Sequence, residues 1–189
     1  MKKIWALFIA ISFTSLLVSQ TDFGIKGGLN LATFGRDIED NEFRNSFHIG
    51  AFMQIELFED FSIQPEIIYS EQGTILTDTR NDVKVKLNYL NIPLVAKYYL
   101  DYGWYLEAGP YVSFALARKE ESLGDLQDAS DIYNSVETGI TFGLMREYNR
   151  WFISLRINGS INNVLKENKE NEDRFVNSSV YLLSIGYKL

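Results

Sequence analysis

Apolar and polar residues alternate along eight stretches of the chain, and the connections between these stretches are alternately short and long. The clearest stretch is residues 47–57, in which an apolar side chain occupies every odd position. The even positions are mostly polar or small and include His48, Gly50, Gln54 and Glu56. A period of two places each set on one face of a β-strand, so the pattern predicts an all-β protein.

The eight predicted strands are joined by two kinds of connection. The strands span residues 22–31, 46–58, 61–72, 83–100, 104–117, 133–145, 151–162 and 176–189. The connections 59–60, 101–103 and 146–150 are short, whereas 32–45, 73–82, 118–132 and 163–175 are long, polar and charged. Strict alternation of short and long connections predicts an eight-stranded antiparallel up-and-down transmembrane β-barrel, with turns at one rim and loops at the other.

The fourth stretch changes phase. Its apolar positions run Val83, Val85 and Leu87, and then Ile92, Leu94, Ala96 and Tyr98. One extra residue in a strand reverses which side chains face outward, so we expect a β-bulge near Tyr89 and Leu90.

The glycines indicate which face of the barrel is enclosed. Seven of the 13 glycines share the polar parity, namely Gly24, Gly28, Gly50, Gly109, Gly139, Gly143 and Gly186. Glycine weakens a solvated strand, but inside a narrow barrel small residues leave space for larger ones. The polar face is therefore predicted to be the lumen. The alternative, a water-soluble barrel with an apolar interior, is disfavoured.

Aromatic residues on the apolar face lie mostly near strand ends, where the interfacial girdles of membrane barrels form. They are Phe47, Phe61, Tyr69, Tyr98, Trp104, Trp151, Tyr181 and Tyr187.

The first 20 residues have the pattern of a cleavable signal peptide. Lys2 and Lys3 precede an almost wholly apolar run at 4–18, and small Ser19 precedes Gln20. The predicted division is a signal peptide at 1–20 and a barrel at 21–189, located in a bacterial outer membrane. The chain has no cysteine, which excludes disulfides and a lipid-modified cysteine. Its net charge of −7 argues against nucleic-acid binding.

Eight charged residues share the enclosed, polar parity. They are Lys26, Glu56, Glu66, Lys97, Glu107, Glu137, Arg156 and Lys188. Buried charges must be paired because an isolated ion in a low-dielectric interior costs several kcal/mol. These side chains are predicted to form an ion-paired plug that closes the lumen without a stable pore. A proton or ion path is the alternative.

No constellation of residues indicates catalysis or a cofactor. His48 is the single histidine, and it is expected to be a hydrogen-bonded lumen residue. Acidic residues cluster in the predicted loops, at Asp37, Glu39, Asp40 and Glu42 and again at Glu120, Glu121, Asp125, Asp128 and Asp131. Weak Ca²⁺ binding by these loops is an alternative, but they lack the spacing of an EF-hand and are expected to be solvated. We therefore predict no metal, no cofactor and no enzymatic activity.

Four segments resemble the PorT-like outer-membrane β-barrel family, also called the outer membrane protein beta-barrel domain group. They are 23–31 (FGIKGGLNL), 89–99 (YLNIPLVAKYY), 105–112 (YLEAGPYV) and 183–189 (LSIGYKL). The resemblance implies an eight-stranded barrel assembled in the outer membrane. Alternating Leu183, Ile185, Tyr187 and Leu189 also resemble the C-terminal signal that the barrel-assembly machinery recognises. That signal usually ends in Phe, and here it ends in Leu189.

The leading functional prediction is a non-enzymatic barrel that supports the envelope or makes surface contacts through long acidic loops. Its expected partners are outer-membrane lipid, the assembly machinery and envelope proteins. The alternatives are an accessory component of a PorT-like secretion apparatus and an outer-membrane enzyme that uses His48.

Overall fold

The computed structural model describes residues 21–36, 41–76, 83–122, 125–166 and 176–189, which form nine β-strands. The strands are β1 (Thr21–Arg36), β2 (Asn41–Phe58), β3 (Phe61–Leu76), β4 (Val83–Tyr99), β5 (Trp104–Ser122), β6 (Asp125–Asp128), β7 (Val136–Tyr148), β8 (Trp151–Ser160) and β9 (Val176–Lys188). The predicted signal peptide lies outside the described residues and stays a prediction. Among the described residues, no helix is both long and apolar enough to cross a membrane.

Eight of the nine strands close into a ring. Each strand of the ring pairs antiparallel with its neighbours, β4 pairs with β5, and β9 returns to pair with β1. The short β6 pairs only with the end of β5 and extends the wall beyond the ring. The predicted eight-stranded antiparallel barrel is confirmed. We call the end with the short β2–β3, β4–β5 and β7–β8 connections the short-turn rim, and the opposite end the long-loop rim.

Several predicted loops are in fact continuations of strands. β1 runs to Arg36 and β3 to Leu76, and β5 covers 19 residues and ends at Ser122. Nineteen residues span about 60 Å along a strand, which gives about 45 Å along the axis of a barrel with tilted strands. The apolar band of an outer-membrane barrel is only about 25 Å tall. The β1–β5 wall therefore extends past the membrane on the long-loop side.

The apolar faces point outward, as predicted. Ile49 is 60% exposed and Leu155 is 59% exposed, whereas the inward Phe52 and Phe152 are 3% and 2% exposed. Aromatic pairs lie near both edges of this apolar belt, with ring centroids 4.8 Å apart in Trp151–Tyr187 and 6.0 Å apart in Phe47–Tyr69. A belt of this kind requires lipid around it, so the soluble alternative does not apply.

A β-bulge does lie at the predicted place, between Asn88 and Tyr89 in the β4–β5 pairing, but the predicted change of backbone phase in the fourth strand is wrong. Val85, Leu87, Tyr89 and Val95 are all buried on one face of β4, so its alternation is unbroken. The extra residue lies in β5 instead, because Asn88 pairs with Ala117 while Tyr89 pairs with Ala115. Above the membrane the outside is water and the interior is apolar. The apolar side chains of β4 therefore face outward within the membrane and inward beyond it, while the alternation of its backbone is continuous.

Inward glycines make room for large inward side chains. A Cβ at Gly186 would lie 2.1 Å from the Phe152 ring, and a Cβ at Gly24 would lie 2.2 Å from the Phe52 ring. The two rings meet edge to face with centroids 5.4 Å apart. This pairing of glycine with aromatic residues fills the lumen near the short-turn rim, as the glycine pattern predicts.

The stagger of the strands decides which inward residues reach the same level. A path through directly paired residues that starts at Tyr99 of β4 returns to β4 at Tyr89, a shift of ten residues around the ring. The path runs Tyr99, Tyr105, Met145, Ser154, Ser184, Gly28, His48, Ser70 and Tyr89. A shear of this size tilts the strands and brings residues of distant strands to one height.

We predict that Gly186→Ala destabilises the barrel by about 1–3 kcal/mol, because the added methyl group overpacks the lumen against Phe152. Gly159→Ala is the matched control, since a Cβ at Gly159 would have no atom within 4 Å. Urea unfolding of both variants in detergent provides the comparison. Equal free energies of unfolding for the two variants would contradict the packing role of Gly186.

Candidate functional site in the barrel lumen

The lumen is filled by side chains that differ in chemistry along the barrel axis. An ionic layer consists of Lys26, Glu66, Glu107 and Arg156. A hydrogen-bonded chain around His48 lies on the β1, β2 and β9 side. An apolar cap closes the long-loop end and consists of Phe34, Val85, Leu87, Tyr89, Ala129, Tyr133, Val164, Leu165 and Val176.

The ionic layer is built around Arg156 of β8. Its guanidinium donates to both carboxylate oxygens of Glu66, with both Nη–Oε distances at 2.9 Å. It also donates to both oxygens of Glu107, from Nε and Nη2 at 2.7 Å. Lys26 adds a third charge contact, Nζ to Glu66 Oε2 at 2.9 Å. Two cations and two carboxylates thus neutralise each other across strands β1, β3, β5 and β8.

Gly143 allows Arg156 to reach Glu107 across the intervening strand. Glu107 of β5 pairs with Gly143 of β7, which in turn pairs with Arg156 of β8. A Cβ at Gly143 would lie 2.6 Å from Cγ of Arg156 and 3.2 Å from Oε2 of Glu107. Ser154 and Gln64 complete the layer by donating to Glu107 and Glu66 at 2.8 and 2.6 Å.

The charges of this layer are almost completely removed from solvent. The side chains of Glu66 and Glu107 have a relative exposure of 0%, and that of Arg156 is 2% exposed. An isolated charge in such a place would be strongly unfavourable, and bidentate Arg–carboxylate geometry offsets that cost. The layer is therefore stable only as a complete unit.

Of the other four predicted lumen charges, three are buried and one is not. Lys97 donates to Gln54 at 2.5 Å and to Gln64 at 3.2 Å. Lys188 pairs with Glu147 at 2.6 Å, a partner that the parity argument did not include. Glu137 accepts a hydrogen bond from the Tyr111 hydroxyl at 2.9 Å.

Glu56 is the exception, and its assignment to the lumen is corrected. It is exposed close to the short-turn rim, where the β2–β3 register shifts next to it. The salt bridges of the described residues do not include it. The alternation of residues along the strand predicted an inward side chain, but a position at the rim is open to water whichever way its side chain points.

His48 is hydrogen-bonded on both ring nitrogens. Nδ1 lies 2.7 Å from Asn30 Oδ1, and Nε2 lies 2.8 Å from Ser184 Oγ. This order of groups resembles the serine, histidine and orienting group of a hydrolase triad. Here the Asn30 amide nitrogen also donates to Ser70, and Ser184 is 1% exposed in a filled lumen. A substrate therefore has no route to the Ser184 hydroxyl in this structure.

The apolar cap combines residues of predicted strands with four residues, Phe34, Ala129, Val164 and Leu165, from segments that the sequence pattern assigned to loops. Tyr133 and Leu165 form a β-bridge, the Asn134 amide donates to the Val164 carbonyl at 2.8 Å, and the Val164 amide donates to the Val176 carbonyl at 2.9 Å. The pairs Ile132-Tyr133 and Val164-Leu165 are apolar within polar surroundings. They were the available signal for a structured cap.

Two acidic residues near this rim have side-chain partners, one a cation and the other a hydrogen-bond donor. Lys86 pairs with Glu121 at 2.5 Å, and Glu120 accepts the Tyr133 hydroxyl at 2.8 Å. Asp125 and Asp128 belong to β6 and are not in a loop. Asp37, Glu39 and Asp40 lie outside the described residues. Within the part of the chain that the structure describes, no three His, Cys, Asp or Glu side chains are grouped to hold a metal.

A closed antiparallel barrel with an apolar outer belt and a polar, filled lumen defines the class of outer-membrane β-barrel proteins. Consistent with this, the family model described as "Outer membrane protein beta-barrel domain" matches residues 17–166. The chain belongs to that family and is an outer-membrane protein. No curated protein matches the sequence significantly.

Solved structures share the fold at low sequence identity. Neisserial surface protein A is 11% identical with a TM-score of 0.58, and the match covers 88% of this chain and 97% of that chain. Ail, the attachment invasion locus protein of Yersinia pestis, is 12% identical with a TM-score of 0.51, covering 90% of this chain and 99% of that chain. These similarities establish the barrel fold.

We predict that Arg156→Ala lowers the free energy of unfolding by about 3–5 kcal/mol, because Glu66 and Glu107 lose the group that neutralises both of them. Arg150→Ala, at an exposed turn position, is the control and should change stability by less than about 0.5 kcal/mol. Urea titration in detergent measures both variants.

A rescue variant separates the effect of charge from that of lost packing. Adding Glu66→Gln and Glu107→Gln to Arg156→Ala should recover part of the lost stability, since no uncompensated carboxylate then remains. If Arg156→Ala is as stable as the wild-type protein, the ionic layer does not have the role described above.

Proposed function

We propose that this protein is a non-enzymatic outer-membrane barrel with a closed lumen, and that it acts through its long-loop rim or by supporting the envelope. The observation that carries the proposal is the bidentate bridge from Arg156 to both Glu66 and Glu107, which spans the lumen beneath the apolar cap.

Two successive barriers oppose ion flow through this lumen. A conducting path needs continuous water, and dispersing the ionic layer would expose fully buried charges without partners. Above that layer, the cap presents Phe34 against Tyr133, with ring centroids 6.1 Å apart. An ion that crossed the cap would lose its hydration without gaining polar ligands. Each barrier alone supports a non-conducting barrel.

The long-loop rim is the part of the barrel that we propose makes contacts with other molecules. In outer-membrane barrels the longer connections face the outside of the cell. Here the wall of β1–β5 and the β5–β6 extension project beyond the apolar belt on that side. Contact with other envelope components is thus proposed to occur at this projecting edge, and lipid is proposed to surround the belt.

The C-terminal strand supports a further proposal about assembly. β9 closes the barrel by pairing with β1 through 13 residue pairs, and Tyr181, Leu183 and Ile185 on its outer face are exposed. We propose that this strand is the element that the barrel-assembly machinery recognises after export by the signal peptide at 1–20.

An accessory role in a PorT-like secretion apparatus is the second candidate. It is favoured by the PorT-like segments YLNIPLVAKYY and YLEAGPYV, which lie in the adjacent strands β4 and β5. Deletion of the gene, followed by profiling of secreted and surface proteins, separates the two roles. An unchanged secretome would exclude the accessory role.

An enzyme that uses His48 is the third candidate, supported by the line of Ser184, His48 and Asn30. Because Ser184 is buried, we expect a fluorophosphonate probe to leave the folded protein unlabelled. Labelling that disappears in both Ser184→Ala and His48→Ala, with the barrel intact, would instead support a hydrolase.

We predict that the purified protein inserted in a planar lipid bilayer gives no large, steady single-channel conductance, because the ionic layer and the cap both block the lumen. Insertion is verified independently by protease protection of the same protein in vesicles. Stable openings of uniform amplitude from verified insertions would overturn the closed-lumen proposal.

A further inference from the structure

One wall of the lumen carries buried oxygen atoms that lack a hydrogen-bond partner among the described residues. Three of them belong to Asn91 (Oδ1), Ser113 (Oγ) and Glu137 (Oε2). These residues are 2%, 0% and 3% exposed. Buried polar atoms in folded proteins nearly always have a partner, so a group of orphaned oxygens indicates an occupant.

The strand register brings these three residues together. Asn91 of β4 pairs directly with Ser113 of β5, and Ser113 pairs directly with Glu137 of β7. All three point inward, and directly paired side chains on one face have Cβ atoms about 4.5–5.5 Å apart. An occupant of the lumen can therefore contact oxygen atoms from three adjacent strands.

A second pair of orphaned oxygens extends the same wall. Thr141 of β7 pairs with Asn158 of β8, and both side-chain oxygens are unpartnered within the described part of the chain. Between the two groups, the Tyr111 ring covers Gly139, where a Cβ would lie 2.4 Å from the ring. Thr141 lies four residues from Glu137 along β7, about 13 Å away, and the Tyr111 ring lies between them, so this second pair is separate from the oxygens around Glu137.

Glu137 also differs from the other buried carboxylates in its charge partners. Glu66 and Glu107 are neutralised by Arg156 and Lys26, and the half-buried Glu147 is neutralised by Lys188. Glu137 instead faces the phenol groups of Tyr111 and Tyr89, which carry no positive charge. The described salt bridges give it no cation. A buried carboxyl group in this position is stable either with a counter-charge or in its protonated, neutral form, and the orphaned oxygens around it favour the counter-charge.

We propose that the lumen binds one monovalent hard cation, such as Na⁺, at Glu137 Oε2, Asn91 Oδ1 and Ser113 Oγ. The set consists only of oxygen atoms, which suits hard cations. A single carboxylate balances a single positive charge. Water molecules complete the coordination. Tyr89, which belongs to the apolar cap, covers the site on the long-loop side, so the ion is taken up as the barrel folds.

The test compares protein refolded in NaCl with protein refolded in choline chloride at equal ionic strength. Wild-type protein should melt about 3–6 °C higher in NaCl when the Na⁺ concentration is about tenfold above its dissociation constant. Glu137→Gln should remove this difference, because the carboxylate ligand is lost. Glu121→Gln, which changes a carboxylate at the rim outside the lumen, should keep it.

A direct measurement accompanies the melting curves and remains decisive if Glu137→Gln fails to fold. Crystals grown with Rb⁺ or Tl⁺ should give an anomalous peak among Glu137, Asn91 and Ser113, and Ser113→Ala should weaken it. Water alone at this position, together with equal melting temperatures in both salts, would overturn the proposal. Equal salt responses of Glu137→Gln and the wild-type protein would also overturn it.

Discussion

The structure depends on the need to fill a narrow enclosed lumen whose walls carry charged and polar side chains. Eight strands leave room for side chains but not for a wide water column. Arg156 meets this need by bridging Glu66 and Glu107, and Lys26 supplies the second positive charge. Neighbouring residues accommodate this bridge. Gly143, for example, leaves the space that Arg156 needs to cross β7.

The membrane boundary imposes a second constraint on the same strands. Within the lipid, apolar residues face outward and polar residues face inward. Beyond the lipid, water surrounds the wall, and the interior can form an ordinary apolar core. β4 follows both rules in a single strand, with Lys97 buried near one end and Val85 and Leu87 buried near the other. The cap therefore packs like the apolar core of a water-soluble protein, although it belongs to a membrane barrel.

Much of this architecture could be predicted from residue order. Alternation identified the eight barrel strands, and the glycine parity identified the enclosed face. The pattern failed where the apolar residues move from the outer face of a strand to its inner face while the backbone alternation continues. The apolar positions of β4 suggested a bulge near Tyr89, whereas the extra residue lies in β5. Glu56 has inward parity but lies at a rim, and parity contains no information on distance from the rim.

The sequence by itself determined the eight strands of the ring, the outward apolar belt and most of the charges in the lumen, because side-chain alternation has a fixed period of two. Only the tertiary structure decided which charges meet. Partners in the ionic layer are up to 90 residues apart, and they are brought to one level by a ten-residue stagger around the ring. That stagger is a property of the closed sheet and has no signature in any single strand.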